Sequence, residues 1–268
     1  MRQVWIVAGS VFKESVRDRV PYSLVVFAVL LMAASYLISQ LTAGQDLKII
    51  KDLGLAAIAT IGLLIAIFIG IGLVSKEVER KSIYSLLAKP ISRASFIIGK
   101  FFGLVLTLAV NVGAMTLAYY AVLAYMNWMA EPGMRESWSA PATDVRLVVA
   151  IVLILAQLTV VTAIALFFST FSSPLLSALL TLAIWTAGHF NSDLRNFQAV
   201  VDSPPAVYTA RALYYLLPNF ASFDVKARVV YGAGVPAAHV ALVLAYAVVY
   251  VAALLVASVT VFRRRDFK

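Results

Sequence analysis

Residues 147–192 read LVVAIVLILAQLTVVTAIALFFSTFSSPLLSALLTLAIWTAGHFNS, without one Asp, Glu, Lys or Arg. As a single helix this stretch would be roughly 70 Å long, about twice the ~30 Å hydrocarbon core of a bilayer. It is too uniformly apolar to present a wetted face, so it belongs in lipid and must turn back on itself there. The turn falls in Ser169-Thr170-Phe171-Ser172-Ser173-Pro174, where hydroxyls suit the cap of a new helix and proline suits its first turn. Two membrane spans follow, over 147–170 and 174–191.

The same ruler of about 20 helical residues per crossing applies to the rest of the chain. It gives spans at 22–41, with Pro21 at the start, at 53–74, at 101–128 and at 237–262. A short polar piece with Gly44, Asp46, Lys48, Lys51 and Asp52 separates the first two. Tyr119, Tyr120, Tyr125 and Trp128 close the third with rings that favour a membrane interface. A loop over 131–146 holds Pro132, Gly133 and Pro141. Residues 192–236, with Pro204-Pro205 and Pro218, read as an external segment of short helices. Residues 1–20 place Val4, Trp5, Val7, Ala8, Val11, Phe12 and Val16 opposite Arg2, Lys13, Arg17 and Asp18, as an interfacial amphipathic helix does. Glu14 and Asp18 ahead of the first apolar run argue against a cleaved signal peptide. The expected fold is an all-α integral membrane protein, a single membrane domain over 1–268 with six transmembrane helices.

Composition agrees: 62% of the residues are hydrophobic and 13% charged, with a mean hydropathy of +0.93. The net charge of +9 is not spread evenly. The N-terminal segment, the 75–100 segment and the C-terminus carry fourteen of the 22 basic residues and five of the 13 acids. The other loops carry eight of each, so the whole excess lies on one side, which the positive-inside rule makes cytoplasmic along with both termini. A basic excess gathered between apolar runs speaks for a membrane surface and against nucleic acid. The chain has no Cys, which removes disulfides, thiolate metal sites and a Cys nucleophile.

Within 75–100, Ile83, Leu86 and Leu87 fall at i, i+3 and i+4, so a short helix over 75–89 would carry one apolar stripe on a charged back. Periodicity leaves open whether the stripe lies on lipid headgroups or meets a soluble partner. The run Lys76-Glu77-Val78-Glu79-Arg80-Lys81-Ser82-Ile83-Tyr84-Ser85-Leu86-Leu87-Ala88-Lys89-Pro90-Ile91-Ser92-Arg93, followed by Gly99-Lys100-Phe101, resembles the cytoplasmic signature of the ABC-2 (type-2 exporter) permeases. Lys81 and Ser82 depart from it, standing where that family commonly has Gly and Thr.

The resemblance extends over essentially the whole chain. It implies a permease subunit in the cell (inner) membrane, paired with a second copy or paralogue. A cytoplasmic ABC ATPase would dock on a coupling helix between spans two and three, braced by the N-terminal helix. Glu77, Glu79, Arg80, Ile83, Tyr84, Leu86, Leu87 and Pro90 would form that docking surface. ATP would enter through the partner: no phosphate loop of the G-x-x-x-x-G-K-[ST] form exists, since Gly99-Lys100 lacks the rest of it. The chain is therefore expected to bind no cofactor directly and to be no enzyme itself.

Gly99 and Gly103 form a G-x-x-x-G step, and Gly62 with Gly70 a second site of close helix approach. Asn111 and Gln157 are the polar side chains deepest in the spans, fit to bond a neighbouring helix or to touch cargo. His189 and His239, without an acid cluster, make a poor metal site. The alternatives are an ion-coupled secondary transporter, which generally needs an ionisable group at the midplane, and a membrane-embedded enzyme. Neither finds its tools in spans free of Asp, Glu, Lys and Arg, in a chain without H-E-x-x-H or G-x-S-x-G. An uncharged pathway suits lipids, drugs, peptides and other amphiphiles alike.

Overall fold

A computed structural model describes residues 2–17, 19–39, 46–79, 92–130, 133, 135, 138, 140–191 and 204–264. Among these, every regular element is helical: α1 (Arg2–Arg17), α2 (Arg19–Ser39), α3 (Asp46–Glu79), α4 (Arg93–Met129), α5 (Arg146–Ser169), α6 (Pro174–His189), α7 (Pro204–Leu216), a 3-10 turn (Phe220–Phe223), α8 (Lys226–Val230) and α9 (Ala237–Arg264). By length and composition four can cross a membrane: α3 over Leu47–Ile71, α4, α5, and α9 over Ala237–Arg263. Pro21–Ala34 in α2 and the whole of α6 are shorter apolar stretches.

The α5 helix, the centre of the charge-free run, is the core of the bundle. Leu147, Leu153, Leu158, Val161, Ala165 and Leu166 are all buried, packed within one apolar core shared with α3, α4 and α9. Two glycines let α3 lie close against it. A Cβ on Gly62 would stand 2.5 Å from Leu158 Cδ1, and one on Gly70 would stand 2.9 Å from Ala165 Cβ, so neither position admits a side chain without a shift. By contrast α9 turns Leu242, Val248, Val249 and Val256 outward, an apolar face suited to lipid.

The bundle departs from the expected boundaries in physically simple ways. The α3 helix starts at Asp46, taking Lys48, Lys51 and Asp52 into its first turns, because a helix outruns the hydrocarbon whenever its polar end has partners. At its other end it runs on to Glu79, so residues 75–79 continue α3 and do not open a separate short helix. The α4 helix begins at Arg93, a full two turns before residue 101, capped by Ser92, whose Oγ accepts from the Ser95 amide at 3.1 Å.

At the hairpin, α5 ends at Ser169 and α6 begins at Pro174. Its hydroxyls do a different job from the expected one. Ser173 takes the N-cap position without a side-chain cap bond. Ser169 Oγ, Thr170 Oγ1 and Ser172 Oγ instead donate back to the carbonyls of Leu166, Phe167 and Phe168 at 2.7, 2.7 and 2.8 Å. Phe167 and Phe168 already accept backbone bonds from residues 170–172, so these hydroxyls add to the bonding at the end of α5, and Pro174 fills the first helical position, where no amide donor is needed.

Part of the stretch expected to be external packs along α9. Tyr246 and Tyr250 stand about 14 and 20 Å along α9 from Ala237. Tyr246 Oη accepts from the Asn219 amide at 3.0 Å, and Tyr250 Oη donates to the Leu216 carbonyl at 3.0 Å. Residues 216–219 therefore sit beside the middle of α9. Irregular backbone packed beside an apolar helix must find polar partners within the protein. Asn191 Nδ2 supplies two more, to the Tyr214 and Leu217 carbonyls at 3.3 and 3.1 Å. This segment caps α6, which is only about 24 Å long.

Candidate functional sites at the two ends of the bundle

One end gathers both described chain ends. The α1 helix lies across the start of α4, where Gly99 and Gly103 open a groove for its backbone. A Cβ on Gly99 would stand 2.7 Å from Val7 Cβ and 2.8 Å from the Val4 carbonyl; one on Gly103 would stand 2.7 Å from both Val11 Cβ and the Ala8 carbonyl. The glycine step thus seats α1 and not a second span. Trp5 stacks on Phe102 with centroids 6.0 Å apart. From the far end of the chain, Phe262 stacks on Phe96 at 5.9 Å, and Arg93 Nη1 donates to the Arg263 carbonyl at 2.9 Å. Lys100 is buried between these elements, its ammonium 4.7 Å over the Phe96 ring.

The expected docking residues belong to this end by sequence. Glu77 and Glu79 lie on the last turn of α3, while Arg80, Ile83, Tyr84, Leu86, Leu87 and Pro90 fall outside the described residues.

Midway along the bundle, Asn111 Nδ2 donates to the Thr107 carbonyl of its own helix at 2.7 Å. Gln157 makes a bond between helices. His189 Nδ1 lies 2.8 Å from the Trp185 carbonyl, which can only accept, so the ring proton is on Nδ1 and Nε2 accepts from Gln157 Nε2 at 3.2 Å. The imidazole is held between Trp185 and Phe220, at centroid distances of 4.5 and 5.7 Å. His239 Nε2 donates to the Ser222 carbonyl at 3.1 Å. Among the described residues no group of three or more His, Asp or Glu could hold a metal ion.

The opposite end holds a polar cluster that sequence reasoning did not single out. Lys51 on α3 is 1% exposed, and its Nζ donates to the Pro141 carbonyl at 2.7 Å. Tyr119, expected from its place in the sequence to be an interface ring, is 0% exposed and donates to the Lys51 carbonyl at 3.1 Å. Tyr120 Oη donates to the Asp144 carbonyl at 3.1 Å. Asp144 Oδ1 accepts from the Arg146 amide at 2.9 Å and so caps α5, while its buried Oδ2 has no partner. Arg146 Nη1 reaches the Gly232 carbonyl, and Lys48 Nζ lies 5.1 Å over the Tyr231 ring. The available signal was a charged residue within a turn or two of an expected span; its partner, 90 residues away, left no mark in the local pattern.

A bundle of apolar helices, four of them long and apolar enough to cross a membrane, defines a multi-pass membrane protein. The chain matches the family model described as ABC-2 family transporter protein over residues 5–267, and it belongs to that family. It is an ABC-type transmembrane permease, a transport component that is not itself catalytic, in a family whose members generally work with ATPase subunits. No curated protein matches the chain in a sequence comparison.

Proposed function

We propose that this permease spans the inner membrane six times with both termini in the cytoplasm, and exports an amphiphilic cargo using ATP hydrolysed by a separate ABC ATPase. The observation that carries the reading is the family match, which runs unbroken through the charged, Leu-striped segment between α3 and α4. The joining of α1, the start of α4 and the end of α9 supports a shared side for the two termini. The +9 excess confined to that side supports its being the cytoplasmic one. On this reading α1 braces the base of the coupling segment, and closure of two ATPases, one on each of two paired permeases, shifts the spans between inward and outward states. Lys100 and Phe96 would stiffen the junction through which that motion passes.

The reading expects a P-loop ATPase encoded beside this chain, and the test is co-purification with it before and after Leu86→Asp with Leu87→Asp. The double variant inserts normally into the membrane and loses the ATPase. Retention of the ATPase at the level of the unaltered chain would overturn the docking assignment.

A further inference from the structure

Lys48, Lys51 and Arg146 close a ring at the outer end. Lys51 ties α3 to the loop before α5. Arg146 ties the start of α5 to Gly232, in the turn after α8. Lys48 ties the neighbouring Tyr231 back to α3. Three basic side chains thereby join three separate pieces of chain.

Lys51 is the odd member. It is an ammonium 1% exposed, yet it is held by a neutral carbonyl. An ammonium has three donors, and burial without a charged partner is costly. A charged partner is near: Asp144 stands three residues beyond Pro141, 9% exposed, with Oδ2 buried and unbonded. No ion pair within 4.0 Å joins the two. The Asp144 charge thus acts on Lys51 from beyond ion-pair distance, while its Oδ2 stays unbonded.

We propose that Lys51 is the moving part of a two-position latch on the outer end of the permease. In the arrangement seen here it holds the Pro141 carbonyl and keeps the loop over 140–145 down. When the outer end opens, residues 140–143 lift about Asp144, which stays beside the start of α5, and the ammonium passes to the Asp144 carboxylate. The exchange trades a charge-to-carbonyl bond for an ion pair, so neither position leaves the lysine unpartnered. Tyr119 and Tyr120 are the fixed posts, holding the backbones of Lys51 and Asp144 to α4 in the closed position.

The inference rests on the proposed orientation, and its test separates the two. The chain has no Cys, so Ala142→Cys, at a site 1% exposed within the loop, is a single reporter for a membrane-impermeant maleimide in vesicles of either sidedness. The full chain with Lys51 labels slowly from the outer face. Lys51→Met labels about tenfold faster, because the closed position loses a buried charged hydrogen bond whereas the open one loses only a water-exposed ion pair, which is worth less, and Lys51→Arg restores protection. Asp144→Asn labels more slowly than the unaltered chain, because the open position has lost its seat. Equal labelling with and without the Lys51→Met change, or faster labelling in Asp144→Asn, overturns the latch. Labelling only from the cytoplasmic face overturns the orientation, and with it the outer place of the latch, whatever the dependence on Lys51. Should Lys51→Met fail to insert, Lys51→Arg against Asp144→Asn decides alone: the proposal requires the first to match the unaltered chain and the second to fall below it.

Discussion

A Cβ on Gly54 would clash with the edge of the Tyr119 ring, at Cε2 and Cδ2. The ring has nowhere to retreat, since it is fully buried and its hydroxyl is bonded to the Lys51 carbonyl one turn away. Gly54→Ala is therefore expected to destabilise the protein by roughly 1–3 kcal/mol, the usual cost of overpacking a core. Gly113, on the same helix as Tyr119, has nothing within 4 Å of a built Cβ. Gly113→Ala should leave stability unchanged or raise it slightly, because alanine restricts the unfolded chain. Thermal unfolding in detergent, ranking Gly113→Ala at or above the unaltered chain and Gly54→Ala well below both, checks the pair. An equal fall in both would mean that helix flexibility, and not the Tyr119 contact, sets the need for glycine. Nothing at Gly54 in the sequence announces this: it precedes an ordinary apolar run, and its partner lies on another helix.

Among the elements, α5 and α6 were the most legible, because a charge-free stretch of twice the bilayer thickness admits few solutions. Residues 75–79 and 93–100 were less so, since charge marks what leaves the hydrocarbon and says nothing about whether the helix stops there. The packing of 216–223 against α9 was illegible for a related reason: Tyr246, Tyr250 and Asn191, which satisfy its backbone, lie on other parts of the chain and leave no local mark. The seat of α1 was half legible. The glycine step over 99 and 103 indicated a close approach, and the amphipathic pattern of α1 indicated a helix with one buried face, but neither pointed to the other. Their fit is specific enough to test. Gly99→Val or Gly103→Val drives a side chain into the α1 backbone and should raise tryptic cleavage at the exposed Lys13 and Arg17 about tenfold in open membranes, since cleavage follows the population of the detached helix. Gly9→Ala, on α1 itself and in open space, should cleave at the unaltered rate; a matching rise there would mean that α1 frays on its own.

For the whole molecule the question is whether the two shorter apolar helices cross. The α6 helix, at about 24 Å, falls short of a ~30 Å core, and if it does not cross, α9 must run the other way and expose the C-terminus outside. The contacts at the two ends argue against that arrangement. Arg146 at the start of α5 reaches Gly232 just ahead of α9, whereas Phe262 near the end of α9 stacks on Phe96 at the start of α4. The α9 helix therefore runs parallel to α5, from the end that holds Lys51 and Asp144 to the end that holds α1. The segment over 216–223 supplies the missing length: Gly188 packs against the Pro218 carbonyl and Phe220, so that the top of α6 is closed by protein and not by lipid. With six crossings, a reporter that is active only outside the cytoplasm should be active when inserted at Gly234, an exposed glycine with room around it, and silent when fused after Lys268. Activity at the C-terminus and silence at Gly234 would mean that α6 does not cross. Activity at both sites would place α9 outside the membrane, against its 27 apolar-rich residues. The same pair of fusions with Arg263, Arg264 and Arg265 all replaced by Ala should still give the six-crossing result. Those three are a minority of the fourteen basic residues on that side, and orientation follows the sum of the charge, most of it set by the first two cytoplasmic segments.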